Sequence, residues 1–223
     1  MKVRFFLGLL VVMLMPALQA QAKCGFDDFP VMDDMSVRSI MDDANYNNRP
    51  MMVRSFSASA SIDQVVDYYH KLWAKRYDDS VFGIWDQIST MTDDCLMTVQ
   101  VAEESGDSSF GRLIISNPPT VVAEADVGTD LVAPADAVVV SDLKTNDGNK
   151  VGRLSVLTLG ESVREAAGFY MAEMQRDGWS LERNFSEQGG LVLMFRQGLK
   201  TSNVLLVPAG ESTQVLINEV EIR

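Results

Sequence analysis

The residue types that most often carry catalysis are scarce in this chain of 223 residues, and they form no catalytic pattern. His70 is the only histidine, so a serine–histidine–acid triad would have to use it. The sequence lacks the Gly-x-Ser-x-Gly turn that presents a nucleophilic serine. A zinc site is disfavoured as well, because His70 would be its single imidazole ligand. We therefore predict no catalytic residue, no metal site and no cofactor.

Paired aspartates are the other candidates for chemistry, and all of the pairs lie in the first half of the chain. They are Asp27-Asp28, Asp33-Asp34, Asp42-Asp43, Asp78-Asp79 and Asp93-Asp94. Calcium needs several oxygen atoms that converge on one point, whereas adjacent residues of a strand point to opposite faces. Most pairs are therefore expected in loops and turns. A hydrolase that uses Asp86, Asp93 and Asp94 is an alternative, since two carboxylates can cleave a glycosidic bond.

Residues 1–22 have the pattern of a secretory signal peptide. A basic start precedes an apolar stretch over residues 5–15, which is too short to span a bilayer. Ala20 and Ala22 then supply the small residues of a cleavage site. We predict cleavage after Ala22 and a mature protein that is periplasmic or secreted, with no transmembrane segment.

Cys24 and Cys95 are the only cysteines. An even number of cysteines in an exported protein is typical of a disulfide. A redox role would favour a Cys-x-x-Cys motif, which the sequence lacks. We predict a structural Cys24–Cys95 bridge that ties the mature N-terminus to a strand.

The strongly acidic composition disfavours two classes of partner. The formal net charge is −12, and loss of Lys2 and Arg4 with the leader makes the mature value −14. Nucleic acids and anionic membrane surfaces both attract basic patches. We therefore expect the protein to bind neither of them, while a basic protein or a cation remains allowed.

The mature chain contains one pattern twice, at a separation of 101 residues. Ser61 and Ser162 open two helical patterns, and Tyr69 and Tyr170 fall at matching places inside them. This self-similarity is typical of a duplicated supersecondary unit. Residues 115–117 and 216–218 continue the same spacing near the end of each copy. We predict a first unit over residues 23–117, a proline-containing linker over 118–134 and a second unit over 135–223.

Each unit is predicted to be a β-hairpin, one α-helix packed on the sheet and an antiparallel β-meander, in the order ββαβββ, which makes the class α+β. Ser61 with Gln64 and Ser162 with Glu165 are predicted capping boxes. Apolar residues follow each box at helical spacing. In the first helix these are Ile62, Val65, Val66, Tyr69, Leu72 and Trp73, and in the second Val163, Ala166, Ala167, Tyr170 and Met174. Gly178 is expected to end the second helix.

The remaining elements are read from alternating and β-branched runs separated by turn residues. The hairpins are predicted over residues 35–41 and 51–57, and over 137–143 and 151–159. The later strands are predicted over 81–88, 95–101 and 111–115 in the first unit, and over 179–185, 191–195, 204–207 and 214–220 in the second.

Residues 191–195 and 204–207 do not alternate between apolar and polar side chains. A strand that is apolar on both faces is expected to be covered on both faces. The helix can cover one face. The other face then requires the first unit, a ligand or another subunit.

Five aromatic residues are candidates for a binding surface or for a pocket between helix and sheet. They are Tyr69, Trp73, Tyr170, Trp179 and Phe195. Aromatic residues at such spacing also commonly form the core, so both interpretations stay open.

Phe169-Tyr170, followed by Gly178-Trp179 and a meander of strands, resembles small domains of bacterial envelope proteins, and this resemblance concerns architecture alone. The main hypothesis is an exported, non-enzymatic binding or assembly protein of the bacterial envelope that acts through protein–protein contact. The alternatives are a carrier or sensor of a small apolar ligand, and the carboxylate-dependent hydrolase.

Overall fold

The computed structural model describes residues 24–119 and 127–223. The predicted leader and its cleavage site lie outside the described residues, as does the middle of the predicted linker. The first half contains β1 (Met35–Tyr46), β2 (Arg49–Ala58), α1 (Ile62–Trp73), β3 (Asp78–Phe82), β4 (Trp85–Met91), β5 (Leu96–Ser105) and β6 (Ser108–Ser116). The second half contains β7 (Val138–Asp147), β8 (Lys150–Leu159), α2 (Val163–Arg176), β9 (Ser180–Glu187), β10 (Gly190–Gln197), β11 (Lys200–Ala209) and β12 (Ser212–Ile222). The class is α+β, with both helices packed on antiparallel sheet.

The predicted order ββαβββ has one strand too few, because four strands follow each helix. The four later strands predicted for the second half are present as β9 to β12, so the missed strand belongs to the first half. In the first half, the strand predicted over residues 81–88 is a hairpin formed by β3 and β4. Gly83 lies in its turn with φ of +64°, a left-handed conformation that glycine adopts without steric cost. The apolar residues on both sides of Gly83 hid this turn in the sequence.

Both helices begin at the predicted capping boxes. The Ser61 amide donates to Gln64 Oε1 at 2.9 Å, and the Gln64 amide donates to Ser61 Oγ at 3.4 Å. Ser162 and Glu165 repeat these bonds at 3.0 and 3.4 Å. Gly178 ends α2 with φ of +86°, as predicted.

The predicted apolar helix faces are confirmed with one exception. Val65, Tyr69 and Trp73 of α1 are buried in the first core, together with side chains of the sheet and of the N-terminal segment. Ala166, Ala167, Tyr170 and Met174 of α2 are buried in the second core. Leu72 is the exception, since it is 45% exposed.

The predicted bridge between Cys24 and Cys95 is present, with a Cα–Cα distance of 5.6 Å. It fixes the N-terminal segment beside the start of β5. Phe26 and Phe29 of that segment are buried in the first core. The segment therefore contributes side chains to the core as well as a crosslink, and the bridge fits a protein of an oxidising compartment.

The described strands form a single sheet of twelve, in the order β3-β4-β5-β6-β2-β1-β7-β8-β12-β11-β10-β9. Counted from the edge to the centre, the first half has the order β3-β4-β5-β6-β2-β1 and the second half β9-β10-β11-β12-β8-β7. The two orders are the same when the strands are numbered within each half. The halves join where β1 pairs antiparallel with β7. Ala44 faces Thr145 there, and these residues are 101 positions apart in the chain, so the junction has a local two-fold relation.

Hydrogen bonds from the first hairpin turn reinforce this junction. The Asn47 amide donates to the Asp142 carbonyl at 2.9 Å, and the Asp142 amide donates to Asn47 Oδ1 at 2.8 Å. Asn146 Nδ2 also donates to Asp43 Oδ2 at 3.0 Å. Asn47 has φ of +50°, which asparagine tolerates better than most residues.

Both helices lie over the same face of the sheet, which we call the inner face. Cross-strand neighbours share a face, and Pro50, Asn45, Lys144, Arg153 and Glu219 are successive neighbours from β2 to β12. Pro50 shares its face of β2 with Phe56, which is buried in the first core beneath α1. Glu219 shares its face of β12 with Ile217, which is buried in the second core beneath α2.

No helix among the described residues is long and apolar enough to cross a bilayer.

Removal of the disulfide tests the role of the N-terminal segment. The double variant Cys24→Ala with Cys95→Ala is expected to lose about 4 kcal/mol of unfolding free energy, because the bridge restricts a long loop in the unfolded chain. Urea denaturation with and without reductant measures this. Reductant should destabilise the wild type and leave the double variant unchanged, and equal sensitivity of both would contradict the prediction.

The variant Asn47→Gly tests the junction. Glycine keeps the positive φ but removes the side-chain acceptor for the Asp142 amide, at an expected cost of about 1 kcal/mol. Hydrogen exchange should become faster in β1 and β7 and stay unchanged in β10 and β11. Asn47→Asp retains an acceptor and should exchange like the wild type; equal acceleration in both variants would show that the hydrogen bond is not responsible.

Candidate functional site

Four of the five predicted site residues are core residues. Tyr69 and Trp73 belong to the first core, and Tyr170 and Phe195 to the second, with none more than 7% exposed. They form no exposed surface and are divided between two separate cores. Trp179 differs, because it is half-buried and lines a cleft on the inner face of the second half.

This cleft has a volume of about 280 Å³, and six charged side chains line it. Its lining includes Asp130, Lys144, Arg153, Trp179, Lys200, Glu219 and Glu221. A smaller space of about 50 Å³, which we call the annex, shares Asp130, Arg153 and Glu219 with it. Tyr170, Met174 and Ile217 are among the other residues that line the annex. The second core thus becomes polar as it approaches the junction.

Arg153 and Asp142 are the centre of this polar region. Arg153 donates from Nε to Asp142 Oδ1 and from a terminal nitrogen to Asp142 Oδ2, both at 2.8 Å. Ser155 Oγ donates to Asp142 Oδ1 at 2.8 Å. The Asp142 side chain is only 3% exposed and that of Arg153 14%. Removal of Arg153 would leave the buried Asp142 carboxylate with only Lys144 Nζ, at 3.8 Å, to compensate its charge.

Hydrogen bonds and ion pairs outweigh the effect of burial on the pKa of both Asp142 and Arg153. Burial alone would raise the pKa of Asp142, but the bonds from Arg153 and Ser155 hold that pKa below its ordinary value. Burial would likewise lower the pKa of Arg153, but Asp142 and Asp130 raise it. Both groups are therefore charged at neutral pH.

Asp130 connects the chain segment before β7 to this pair. Arg153 donates to Asp130 Oδ1 at 2.6 Å, and Lys144 Nζ donates to Asp130 Oδ2 at 3.1 Å. The hydrogen bond from Arg153 is the main reason that the pKa of Asp130 falls to about 2. Leu131 and Val132 next to it pack against the second core, so the end of the predicted linker is part of the folded structure.

Glu219 is the carboxylate of the cleft that lacks a cationic partner. Arg153 is its cross-strand neighbour but forms its ion pairs with Asp130 and Asp142. Ser202 Oγ donates to Glu219 Oε1 at a long 3.4 Å, and among the described residues no ion pair includes Glu219. Burial raises the pKa of this carboxyl, only partly opposed by Arg153, Ser202 and Lys200.

The two buried tyrosines differ in the partner of their hydroxyl groups. Tyr69 Oη donates to the Pro30 carbonyl at 3.0 Å. Tyr170 Oη is buried and has no hydrogen-bond partner among the described residues, and its side chain lines the annex. An unpaired buried hydroxyl costs roughly 1–3 kcal/mol, so a hydrogen-bonding group placed in the annex would be stabilised by Tyr170 Oη.

The matching positions of the first half are apolar. Met52 and Met97 are the cross-strand neighbours of Ile115, just as Arg153 and Ser202 are the neighbours of Glu219. Each set of three residues therefore occupies the same place in its half of the sheet. Ile115 and Glu219 are equivalent in this sense, although they are separated by 104 residues rather than 101. Residues 115–117 and 216–218 are 101 positions apart but do not occupy equivalent places in the sheet. The predicted equivalence is therefore wrong for the last strand of each half.

A second contrast lies on the outer face, opposite the helices. Phe185, Val192, Leu205, Leu216 and Val156 are successive cross-strand neighbours across five strands of the second half. Phe185 is 50% exposed, and the other four are half-buried. A shallow groove of about 450 Å³ lies along the β9 side of this row. We call these five residues the apolar row.

The equivalent row of the first half is polar. It consists of Ser80, Gln87, Gln100, Arg112 and Ser55. Gln87 Nε2 donates to Ser80 Oγ at 3.1 Å, and Gln100 Nε2 donates to Gln87 Oε1 at 2.9 Å. One strand arrangement thus carries a polar outer row in one half and an apolar outer row in the other.

The remaining candidates for chemistry are dispersed. His70 Nε2 lies 2.9 Å from Asp79 Oδ1, and its ring stacks on Tyr77 at a centroid distance of 4.1 Å, which joins α1 to the edge strand β3. Asp93 and Asp94 are exposed before β5, while Asp86 lies within β4. Within the described ranges, no group of three or more His, Cys, Asp or Glu side chains could hold a metal ion.

The sequence analysis missed the cleft because its residues come from distant segments of the chain. A signal was present in β8 and β12, where Arg153 and Glu219 continue the inward face begun by Leu157 and Ile217. A charged residue at an inward position is rarely buried unless it is paired. The register of the two strands was needed to show that these positions meet.

Glu219→Gln tests whether the cleft holds an unfavourable charge. The fold raises the pKa of Glu219, so ionisation costs more in the folded chain than in the unfolded one. Below the ordinary carboxyl pKa of 4.5, wild type and variant should be equally stable. As the pH rises through the raised pKa, the variant should become the more stable protein in urea denaturation. Glu211→Gln, at an exposed turn, should show no such difference, and a variant destabilised at neutral pH would contradict the prediction.

Comparison with known proteins finds no match to this chain among family models, curated proteins or solved structures. Its function must therefore be inferred from the contacts, burial and charge of its own residues.

Proposed function

We propose that this chain is an exported, non-enzymatic protein of the bacterial envelope that binds a partner protein through the apolar row of its second half. The apolar row carries the proposal, because it places five neighbouring apolar side chains on a sheet face that no described helix covers. Exposed apolar patches of this kind commonly mark interaction sites. The disulfide and the leader pattern of residues 1–22 support export.

Because the halves join edge to edge, neither helix nor the other half covers the outer face within the residues that the structure describes. The strands over residues 191–195 and 204–207 require a cover on both faces, and α2 supplies one. Because β1 and β7 join the halves side by side, the first half does not stack on the second. A ligand or another protein remains as the cover for the outer face.

A protein fits this face better than a small molecule or a membrane. Five strands at a spacing of about 4.8 Å make a row roughly 20 Å long. A small ligand is too short to cover the whole row. An anionic membrane would be repelled by the net charge of −12. The partner should present an apolar strand or helix face of matching width.

A tandem duplication accounts for the two halves. The strand order and both capping boxes support it, as does the separation of 101 residues through the hairpins and helices. After duplication, the halves would have diverged in their outer faces. In this interpretation the first half, with its disulfide and polar outer row, is a stable support, and the second half is the binding unit.

Photo-crosslinking at matched positions tests the proposed binding face. A photoreactive phenylalanine in place of Leu205 should give one defined adduct in the native compartment, because Leu205 is central in the apolar row. The same residue in place of Arg112, an exposed position of the equivalent row in the first half, should give none. Adding Val192→Glu should abolish the Leu205 adduct, since a carboxylate in an apolar interface is strongly unfavourable.

Mass spectrometry of the adduct decides the identity of the partner. A different protein that also binds the purified wild type, and loses at least about thirtyfold in affinity with Val192→Glu, would support the proposal. An adduct of twice the chain mass would assign the row to self-association. That result, or equal labelling from Leu205 and Arg112, would contradict the proposal.

A further inference from the structure

We infer that the cleft of the second half binds a small organic monocation with a primary ammonium group. The ammonium would lie in the annex between the Glu219 carboxylate and Tyr170 Oη. The apolar body of the ligand would lie in the larger cleft against Trp179. This site is separate from the apolar row, because Glu219 lies on the inner face and the row on the outer face.

The pairing of charges determines the charge of the ligand. Arg153 and Lys144 are neutralised by Asp142 and Asp130, all within 4 Å. Lys200 Nζ lies 3.7 Å from Glu221 Oε2. Glu219 is the one acidic group of the lining without an ion pair among the described residues. A single positive charge would therefore complete the cleft, whereas an anion would add a second uncompensated negative charge.

The unpaired hydroxyl of Tyr170 determines the chemistry of the charged group. Tyr170 is completely buried, and its oxygen has no hydrogen-bond partner within residues 24–119 and 127–223. A primary ammonium has three N–H donors, so it can donate to the Glu219 carboxylate and to Tyr170 Oη at once. A quaternary ammonium would carry the charge but could donate to neither group.

The sizes of the two spaces set the size of the ligand. The annex, of about 50 Å³, has room for a few water molecules or a head group of similar size. The outer cleft, of about 280 Å³, lies just below the range of about 300–1,000 Å³ usual for drug-sized ligands. Trp179 and Val151 supply apolar lining there, and the indole face also attracts cations.

The first half shows that the fold does not require this polar arrangement. There Ile115, Met52 and Met97 occupy the positions of Glu219, Arg153 and Ser202, and Pro30 satisfies the Tyr69 hydroxyl. The same strand arrangement can therefore be filled with apolar side chains and paired hydrogen bonds. The open, singly charged cleft is a property of the second half alone.

Titration of the purified protein with four matched compounds tests the inference. n-Butylammonium is the expected ligand; tetramethylammonium lacks N–H donors, 1-butanol lacks charge, and butyrate has the opposite charge. Indole signals in ¹H–¹⁵N NMR spectra report the site, because the chain has three tryptophans and only Trp179 lines the cleft. n-Butylammonium should shift the Trp179 signal at saturable concentrations and leave Trp73 unshifted, and the other three compounds should bind at least about tenfold more weakly.

Three variants separate binding from folding. Glu219→Gln should weaken n-butylammonium binding by about tenfold or more, because it removes the charge–hydrogen-bond partner, although it stabilises the fold. Tyr170→Phe should weaken binding several-fold, and Glu211→Gln should leave it unchanged. Absence of a Trp179 shift with n-butylammonium, preference for butyrate, or unchanged affinity in Glu219→Gln would each overturn the inference. Unchanged affinity in Tyr170→Phe would show that water alone occupies the annex, which would overturn the assignment of the ammonium to it.

Discussion

The antiparallel pairing of β1 with β7 is the contact on which the whole arrangement depends. It joins two six-stranded halves into one sheet, and Asn47 holds Asp142 from the opposite half. Because the halves meet at their edges, neither can cover a face of the other. Both helices then lie on one side, and the entire outer face is left to solvent or to a partner. A face-to-face packing of the same halves would have buried the apolar row.

The same pairing also links the junction to the interior of the second half. Asp142 uses its backbone to bind the Asn47 turn and its carboxylate to bind Arg153 and Ser155. Arg153 in turn holds Asp130 of the incoming chain segment. A single buried ion pair thus fixes the first hairpin, the sheet and the segment before β7 relative to one another. Its value lies in this specificity of arrangement, since a buried ion pair contributes little net stability by itself.

Local features of the fold could be predicted from the sequence, whereas features that depend on strand register could not. Ser61, Ser162, Gly178 and the Cys24–Cys95 pair act through neighbours in the chain or through chemistry that the composition reveals. The hairpin turn at Gly83 was missed because Phe82 and Ile84 continue the apolar run. The polar trio around Glu219 and the apolar row required knowledge of which residues face each other across several strands. The helical spacing correctly placed Tyr170 on the buried face of α2. The spacing could not show whether its hydroxyl has a partner, because that depends on segments distant in the chain, such as Leu131 and Val132.

Three features of the second half oppose folding or solubility, and the first half has different residues at the equivalent positions. A half-buried carboxylate and an unpaired buried hydroxyl both oppose folding, and a solvent-facing apolar row invites aggregation. At the equivalent positions the first half has Ile115, the Pro30 carbonyl acceptor and a ladder of serine, glutamine and arginine side chains. Since both halves use the same strand order, topology does not impose these features on the second half. Deviations from local physical rules without a structural compensation are characteristic of functional sites, and here they occur on both faces of the second half.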